Sequence, residues 1–592
     1  MPGIFGVLAK RPDLPPRELG HLGRRMADAM HAVPWLSTEL WAAPGFCGGR
    51  VHLGVLHPAP QPVASGDGQV RLWLDGEAFG PDSRDSARLT PGEILPLVES
   101  PECLRRVDGA FNLAAFRPDG AELTLVTDRL GLRPLYFTET SEWLAYAAEL
   151  KCLLAILPRQ PDLDRTSLRQ FLSADHLFGE RTWWSGIELL PPGSHWRLDP
   201  HGKERRRYWS FADIERHPVD EEDAVEEFGA LWSRSVGRRL KPGCSPYLLS
   251  GGQDSRMLLA EMRAQGAEAT AFTFGTPGCA DIEIARRCAG VLGVRHQALP
   301  MTAESWWHGR EQAIWQTDGL VNAIHLHVAV AAPYLRSGNR YMQKHTGGGN
   351  LFGGSQLRYA FPEWRSEPHK LLANHLKESP FFSREEAVEA AVPDSRAYLV
   401  GPSSDCFTLM QRQRRMIMTG PFALAAHCEV ATPAADLDML QLCLGGLSDE
   451  QRAGGRFYRK ALMRHYPTLF RDIPRNATGR AVEERLPLRI TRGLRAGLAK
   501  RLNKLPVAWR VSKHVDVPHG KFHDYPAFLR HSDVVAAVTR GGLLVDEYLD
   551  GRALPYLERG WQSAQGSARA VLALLTVETY LRQVADLPWP ER

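Results

Sequence analysis

The hexapeptide Ser250-Gly251-Gly252-Gln253-Asp254-Ser255 is the segment of this chain best suited to chemistry. It follows a short apolar run, Tyr247-Leu248-Leu249. It precedes an amphipathic stretch, Arg256 to Ala264, with Met257, Leu258 and Met262 facing inward. Adjacent glycines let a backbone approach a ligand closely, and the unpaired N–H groups of a helix start favour an anion. Ser250 and Ser255 add hydroxyl donors. Asp254 is a poor neighbour for a phosphate unless a divalent cation lies between them, so the loop predicts Mg²⁺ together with phosphates. The lysine-bearing phosphate loop GxxxxGK[ST] occurs nowhere in the sequence. An ordinary Gly-Gly turn is the bland alternative; the full SGGxDS spelling between strand and helix argues against it.

The elements that must hold this loop read as a parallel sheet. Ala224 to Leu240 is a predicted helix, with Val225, Phe228, Leu231, Trp232 and Val236 at helical spacing. After the loop and its helix come a strand over Ala269 to Phe274, a helix over Ile282 to Leu292 and a strand over Val294 to Leu299. That succession is βαβ. Beyond Val400 the chain reads as mostly helical. Residues before about 210 read differently. Short β-rich runs occur at Val51 to His57, Val70 to Leu74 and Leu123 to Thr127, with helices near Leu19 to His31 and Gly92 to Leu97 and a closing hairpin between Pro191 and Trp209. The expected organisation is an α+β domain over 1–210 and an α/β domain with a large helical part over 211–592, closely packed.

Composition excludes several classes. The 592 residues are 44% hydrophobic and 24% charged, which rules out a disordered chain, a collagen-like repeat and a small disulfide scaffold. Net charge is +4, so nothing in the charge balance supports a general nucleic-acid or membrane-surface role. The 9 cysteines are scattered, odd in number and without a CxxC pair, as expected of reduced, buried thiols. The apolar run before Lys10 is too brief for a signal-peptide core, and Leu320 to Leu335 is too short to span a bilayer. A cytoplasmic protein with no membrane span is expected.

The loop SGGQDS resembles the pyrophosphate-binding loop of the asparagine synthetase family of ATP-pyrophosphatases, and other segments agree in order. Asp75-Gly76-Glu77, Asp108-Gly109-Ala110-Phe111, Asp128 to Tyr136 (DRLGLRPLY), Ala148-Glu149-Leu150-Lys151, Pro191-Pro192-Gly193 and Tyr208-Trp209 resemble segments of the family's first domain. In the second, Asp281 and His296 fall at its acidic helix start and terminal His, and Thr346 to Gly354 (TGGGNLFGG) resembles its second glycine-rich loop. The resemblance implies an Ntn-hydrolase-like αββα sandwich followed by a synthetase domain that adenylates a carboxylate with ATP and Mg²⁺. It places Leu248, Ser250, Gly251, Gly252, Asp254, Ser255, Phe274 and Gly347 at the nucleotide and Asp254 and Asn350 at the metal.

The chain also departs from that pattern. Glutamine-dependent members begin with a nucleophilic cysteine, and here Pro2 stands at that place. Gly349 or Asn350 replaces the aspartate before Leu-Phe-Gly-Gly. The family's C-terminal Arg-Pro-Lys stretch matches Ile473 to Gly479 (IPRNATG), which has no lysine, so Arg475, or Lys460 upstream, is the candidate cation for the developing oxyanion and leaving phosphate. Glu429 is a candidate general base, against a structural ion pair; Pro433 and Asp436 fit its motif, and Ala431 stands where the family has Arg. Members without the cysteine resemble lactam-forming enzymes.

The function expected is therefore that of a lasso peptide macrolactam synthetase acting on a precursor peptide, with a leader peptidase or leader-binding protein as a further partner. A β-lactam-type synthetase and a catalytically weakened peptide-binding protein are the alternatives. Aromatic inserts at Trp306-Trp307 and Phe361 to Trp364 favour a peptide substrate. Three further features stay open. His325 and His327, expected on one side of a strand, and His345 are either zinc ligands or packed histidines. Asp318-Gly319 either lines the cleft or forms a turn. The acid-free basic stretch over 485–513 is either a solvated helix face or a docking surface.

Overall fold

A computed structural model of the chain describes residues 2–11, 13–80, 87–345, 348–357, 361–475, 523–559 and 567–589. Gly347 and the basic stretch 485–513 lie outside the described residues.

The first part is a sandwich of two six-stranded sheets. In one, strand Gly3–Ala9 runs antiparallel between Phe46–His52 and Trp143–Ala147. In the other, Arg71–Phe79, Asp108–Arg117, Glu122–Thr127 and Ser194–Leu198 lie side by side, and Lys203–Arg207 forms a fully exposed outer strand. Side chains alternate along each strand. Ile4 and Leu8 meet Trp73, Phe116, Leu125 and Trp196 between the sheets, with Phe46 stacked on Phe116 at 4.2 Å. Phe5 and Val7 turn outward against Leu19, Leu22 and Met26 of helix Pro16–Met30. The expected αββα layering is thus present. The strand expected over Val51 to His57 stops at His52; Gly54, with φ of +70°, turns the chain out of the ladder.

The second part carries the parallel sheet Ser245–Leu248, Ala269–Gly275, Arg295–Pro300 in that spatial order, with helices Gln253–Ala264 and Ala280–Leu292 as crossovers. A second parallel pair, Tyr341–Gln343 with Glu429–Ala431, lies beside Ser245–Leu248. The segment with His325 and His327 is not a strand. It is a 3₁₀ run, Ala323–Arg336, begun by Asn322, whose side chain accepts from the N–H of Ile324 at 3.0 Å. Beyond Val400 short helical segments predominate, and the long helix Ala568–Ala585 packs into the core. Among the described residues, no helix is long and apolar enough to cross a membrane.

Buried charges join the two parts. Arg133 holds Asp75 through two hydrogen bonds of 2.8 Å and approaches Glu429 at 3.6 Å. Glu77 accepts from Arg239 at 3.1 Å and from the Tyr341 hydroxyl at 2.8 Å. Arg238 bridges Asp108 and Asp436. Lys151, almost wholly enclosed, pairs with Glu149 and Asp318 at 2.9 Å each, and Asp318 also accepts from the N–H of Leu150 at 2.8 Å. Asp318 therefore belongs to the docking surface, with Gly319 turning the chain beneath Tyr580. Glu77 and Asp108, in two of the acidic segments singled out in the sequence, are what Arg239 and Arg238 of the second part clasp. Removing one partner of a buried ion pair strands the other, so Lys151→Met should lower the unfolding free energy by about 3–5 kcal/mol. An unchanged urea midpoint would show that this pair does not contribute to docking.

Candidate active site

Loop 250–255 leaves the C-terminal end of Ser245–Leu248 and enters helix Gln253–Ala264 at Gly252, which supplies no side-chain cap. The first N–H groups of that helix therefore face the loop unspent. The loop's shape is over-determined. Gly251 donates its N–H to Asp281 at 2.9 Å, and its carbonyl accepts from Arg256 at 2.6 Å. The buried Arg256 guanidinium also donates to the Ile473 and Pro474 carbonyls, the latter at 2.5 Å. Ser250 and Ser255 pair through their hydroxyls at 2.9 Å, and the Tyr247 hydroxyl donates to the carbonyl of Ser255 at 2.7 Å. Thr273 donates to the Leu249 carbonyl at 2.6 Å. With that proton spent, its oxygen accepts from His296 Nε2 at 2.9 Å, which sets the imidazole tautomer.

Asp254 points out of this frame with its carboxylate one-third exposed. Tyr458 donates to it at 2.8 Å, and His345, kept neutral by burial, stands 3.6 Å from its other oxygen. The second glycine-rich loop closes on the same carboxylate. A Cβ built on Gly349 would lie 3.4 Å from Asp254 Oδ2. A carboxylate at 349 would thus stand against Asp254, an arrangement that only a cation relieves. Asn350 is buried, and both atoms of its amide lack a partner among the described residues. A cation would satisfy its oxygen and leave its nitrogen unmet. The residues therefore fit a magnesium held by Asp254 and by the nucleotide's own phosphates, the usual way this hard ion binds.

Leu248 and Phe274 lie on one face of the sheet, both packed against the same core, with Phe274 5.2 Å from the His327 ring. Arg475 follows directly on the two carbonyls that Arg256 fastens to the loop, so the structure brings it alongside. Lys460 is not brought there. On helix Arg456–His465 it lies two residues from Tyr458, hence on the opposite side, and its ammonium is taken by Glu221 at 3.0 Å and by Glu222.

Glu429 is also elsewhere. It pairs in register with Tyr341 at the start of its strand, away from the C-terminal ends that carry the loops. Burial raises its pKa, opposed by Arg133, and it lines a cavity with Gly3, Arg50, His52, His57 and Asp75. The ion-pair reading of Glu429 is the one its surroundings support. The histidines do not converge: His325 stands 3.6 Å from Asp175, His327 packs on Phe274 and His345 on Trp232. Among the described residues, no group of three or more His, Cys, Asp or Glu can hold a metal. Arg256 and Tyr458 escaped the sequence reading. Arg256 has a signal, being a cation at a helix position filled otherwise by apolar residues; Tyr458 has none.

Residues 230–492 match the asparagine synthase family, and residues 97–209 match the glutamine amidotransferase domain. These two segments carry the chain's similarity to the asparagine synthetase family. Similar relatives include asparagine synthetase [glutamine-hydrolyzing] 1 of Bacillus subtilis, 21% identical over 220 residues, covering 37% of this chain and 35% of that one. A putative asparagine synthetase [glutamine-hydrolyzing] of Mycobacterium tuberculosis is 25% identical over 227 residues, with 37% and 35% covered. Amidase chyE of Penicillium rubens is 26% identical over 232 residues, with 36% and 34% covered. The match spans about a third of the length of these curated relatives.

Because Lys460 sits in an exposed pair, Lys460→Ala should leave both the urea midpoint and the ATP affinity as they are. Arg256→Met, by releasing the Gly251 carbonyl, should weaken ATP binding by about tenfold or more. Equilibrium titration of both variants checks the contrast; equal effects would contradict the placement described.

Proposed function

We propose that this protein is an ATP-dependent amide ligase that joins a carboxylate and an amine of the same substrate, most specifically a macrolactam synthetase of the lasso peptide type. The carrying observation is the clamped loop 250–255, with an uncapped helix start and a part-exposed Asp254 at the C-terminal end of a parallel strand. Open parallel sheets bind ligands there, and fixed donors stabilise developing phosphate charge without reorganising.

Bound ATP with Mg²⁺ supplies the adenylyl group that makes the carboxylate reactive. The chain's residues do the rest. The helix start and Ser250 hold the phosphates, Asp254 holds the metal, and Arg475 offers charge beside the departing pyrophosphate. The amine nitrogen then attacks the acyl carbon, the bond to AMP breaks, and the amine releases its proton. Holding both ends of one substrate makes that attack intramolecular, a large part of the expected acceleration.

The first part supports an amine carried by the substrate. The cavity bounded by Gly3, Arg50, His57 and Asp75 is about 20 Å³, room for a single water. Arg50 is engaged by Glu39 and by the carbonyls of His57 and Ala59. Burial pushes His57 down to about 4, so it is neutral at physiological pH. A cavity this small, with a neutral His57, lends glutamine hydrolysis little support.

Two observations favour alternatives. Trp306 and Trp364 are buried in the core and Trp307 and Phe361 are half-buried, so the aromatic inserts offer little exposed wall for a peptide, which favours a smaller lactam substrate. The lone carboxylate at the metal position favours a binding protein with weakened catalysis.

One assay separates these readings: pyrophosphate release from ATP and Mg²⁺ with a leader-free core peptide, the product weighed by mass spectrometry. Pyrophosphate with a product lighter by one water is expected, and Asp254→Ala should abolish at least about 99% of it. Pyrophosphate without loss of water would favour a small substrate. Bound ATP that never turns over would favour the binding protein.

A further inference from the structure

Lys344 has no role in the site as described. It is the residue at which strand Tyr341–Gln343 ends, and its N–H makes the last rung of the parallel pair, to the Ala431 carbonyl at 2.8 Å. Alternation fixes its direction. Tyr341 reaches Glu77 and Gln343 reaches the Val236 carbonyl on one face, so Met342 and Lys344 turn to the other. On that face Met342 joins the core that includes Phe272 and Leu326 and against which Leu248 and Phe274 pack. Lys344 therefore stands at the C-terminal end of the sheet, on the face of the two residues expected at the nucleotide.

Its charge is uncompensated among the described residues. Lys151, Lys377 and Lys460 pair with carboxylates, and Lys241 donates to the Val55 carbonyl. Half-buried Lys344 forms no ion pair among the described residues. The titratable groups that interact with it are His327, which burial keeps neutral, and Cys428, whose thiol burial pushes up to about 12. Neither supplies a negative charge at neutral pH. Burial accordingly lowers the ammonium to about 8. A partly desolvated cation with no counter-charge is costly unless an anion arrives to meet it.

We propose that Lys344 is the cation that meets the phosphate oxygens of the bound nucleotide, replacing from the strand end the lysine that segment 473–479 lacks. This rests on loop 250–255 being an ATP site. The strand that ends at Lys344 lies beside Ser245–Leu248, from which the loop departs, and a flexible ammonium follows a phosphate as a point charge.

The test is equilibrium binding of ATP with Mg²⁺ to the full chain, Lys344→Gln and Lys344→Arg, across pH 6.5–9.5 (about two protonation regimes of an amine), with circular dichroism to confirm folding. Lys344→Gln should weaken binding about tenfold or more, and Lys344→Arg by no more than about threefold. Wild-type affinity should be full below about pH 8 and fall as pH rises through it, because the free ammonium is lost there; Lys344→Gln should lack that fall. A glutamine variant that binds like wild type with the same pH profile overturns the proposal and leaves the ligase reading intact. Lys344-dependent ATP binding without pyrophosphate release keeps the proposal and sinks the ligase reading. A wild type that binds no ATP overturns both.

Discussion

Everything in this molecule is arranged around the buried charges between the sandwich and the parallel sheet. Asp75, Glu77 and Asp108 come from the sandwich, while Arg238, Arg239, Tyr341, Glu429 and Asp436 come from the other part. Such pairs add little net stability over an apolar interface, yet each is expensive to break. Their effect is specificity of position. Tyr341 and Glu429 open the second parallel pair, so the interface sets where that pair ends and the second glycine-rich loop begins. Without the sandwich's carboxylates, Arg238 and Arg239 would lose Asp108 and Glu77, two of their buried counter-charges.

Much of this was legible in the residues. Helix Gln253–Ala264, strand Ala269–Gly275 and helix Ala280–Leu292 fall where periodicity and the SGGQDS loop put them, since apolar spacing decides local structure when burial is one-sided. The 323–336 run misled because alternation around His325 and His327 reads as a strand, whereas Asn322 starts a helical turn through its own side chain. Lys460 and Glu429 were legible as charges but not as directions. Which face a side chain takes follows from its helix partner or strand register, and those are long-range. Arg256 shows the same limit: two of its three carbonyl partners lie more than two hundred positions away.

The loop itself illustrates preorganisation. Gly251 is held at both its N–H and its carbonyl, so little conformational freedom remains to be lost when a ligand arrives. The same arginine ties the Ile473 and Pro474 carbonyls to the loop.

The outer strand Lys203–Arg207 has a bearing on life at high concentration. Its free edge offers N–H and C=O groups to any passing chain, as the rim of every open sheet does. Four of its five side chains are cationic. Although Lys203, Arg205 and Arg206 pair with Glu139, Glu188 and Glu204, the remaining positive charge opposes an identical rim brought alongside. Crowded copies of this protein are thereby kept from zipping into fibres along the sandwich, and the repulsion fades as salt screens it.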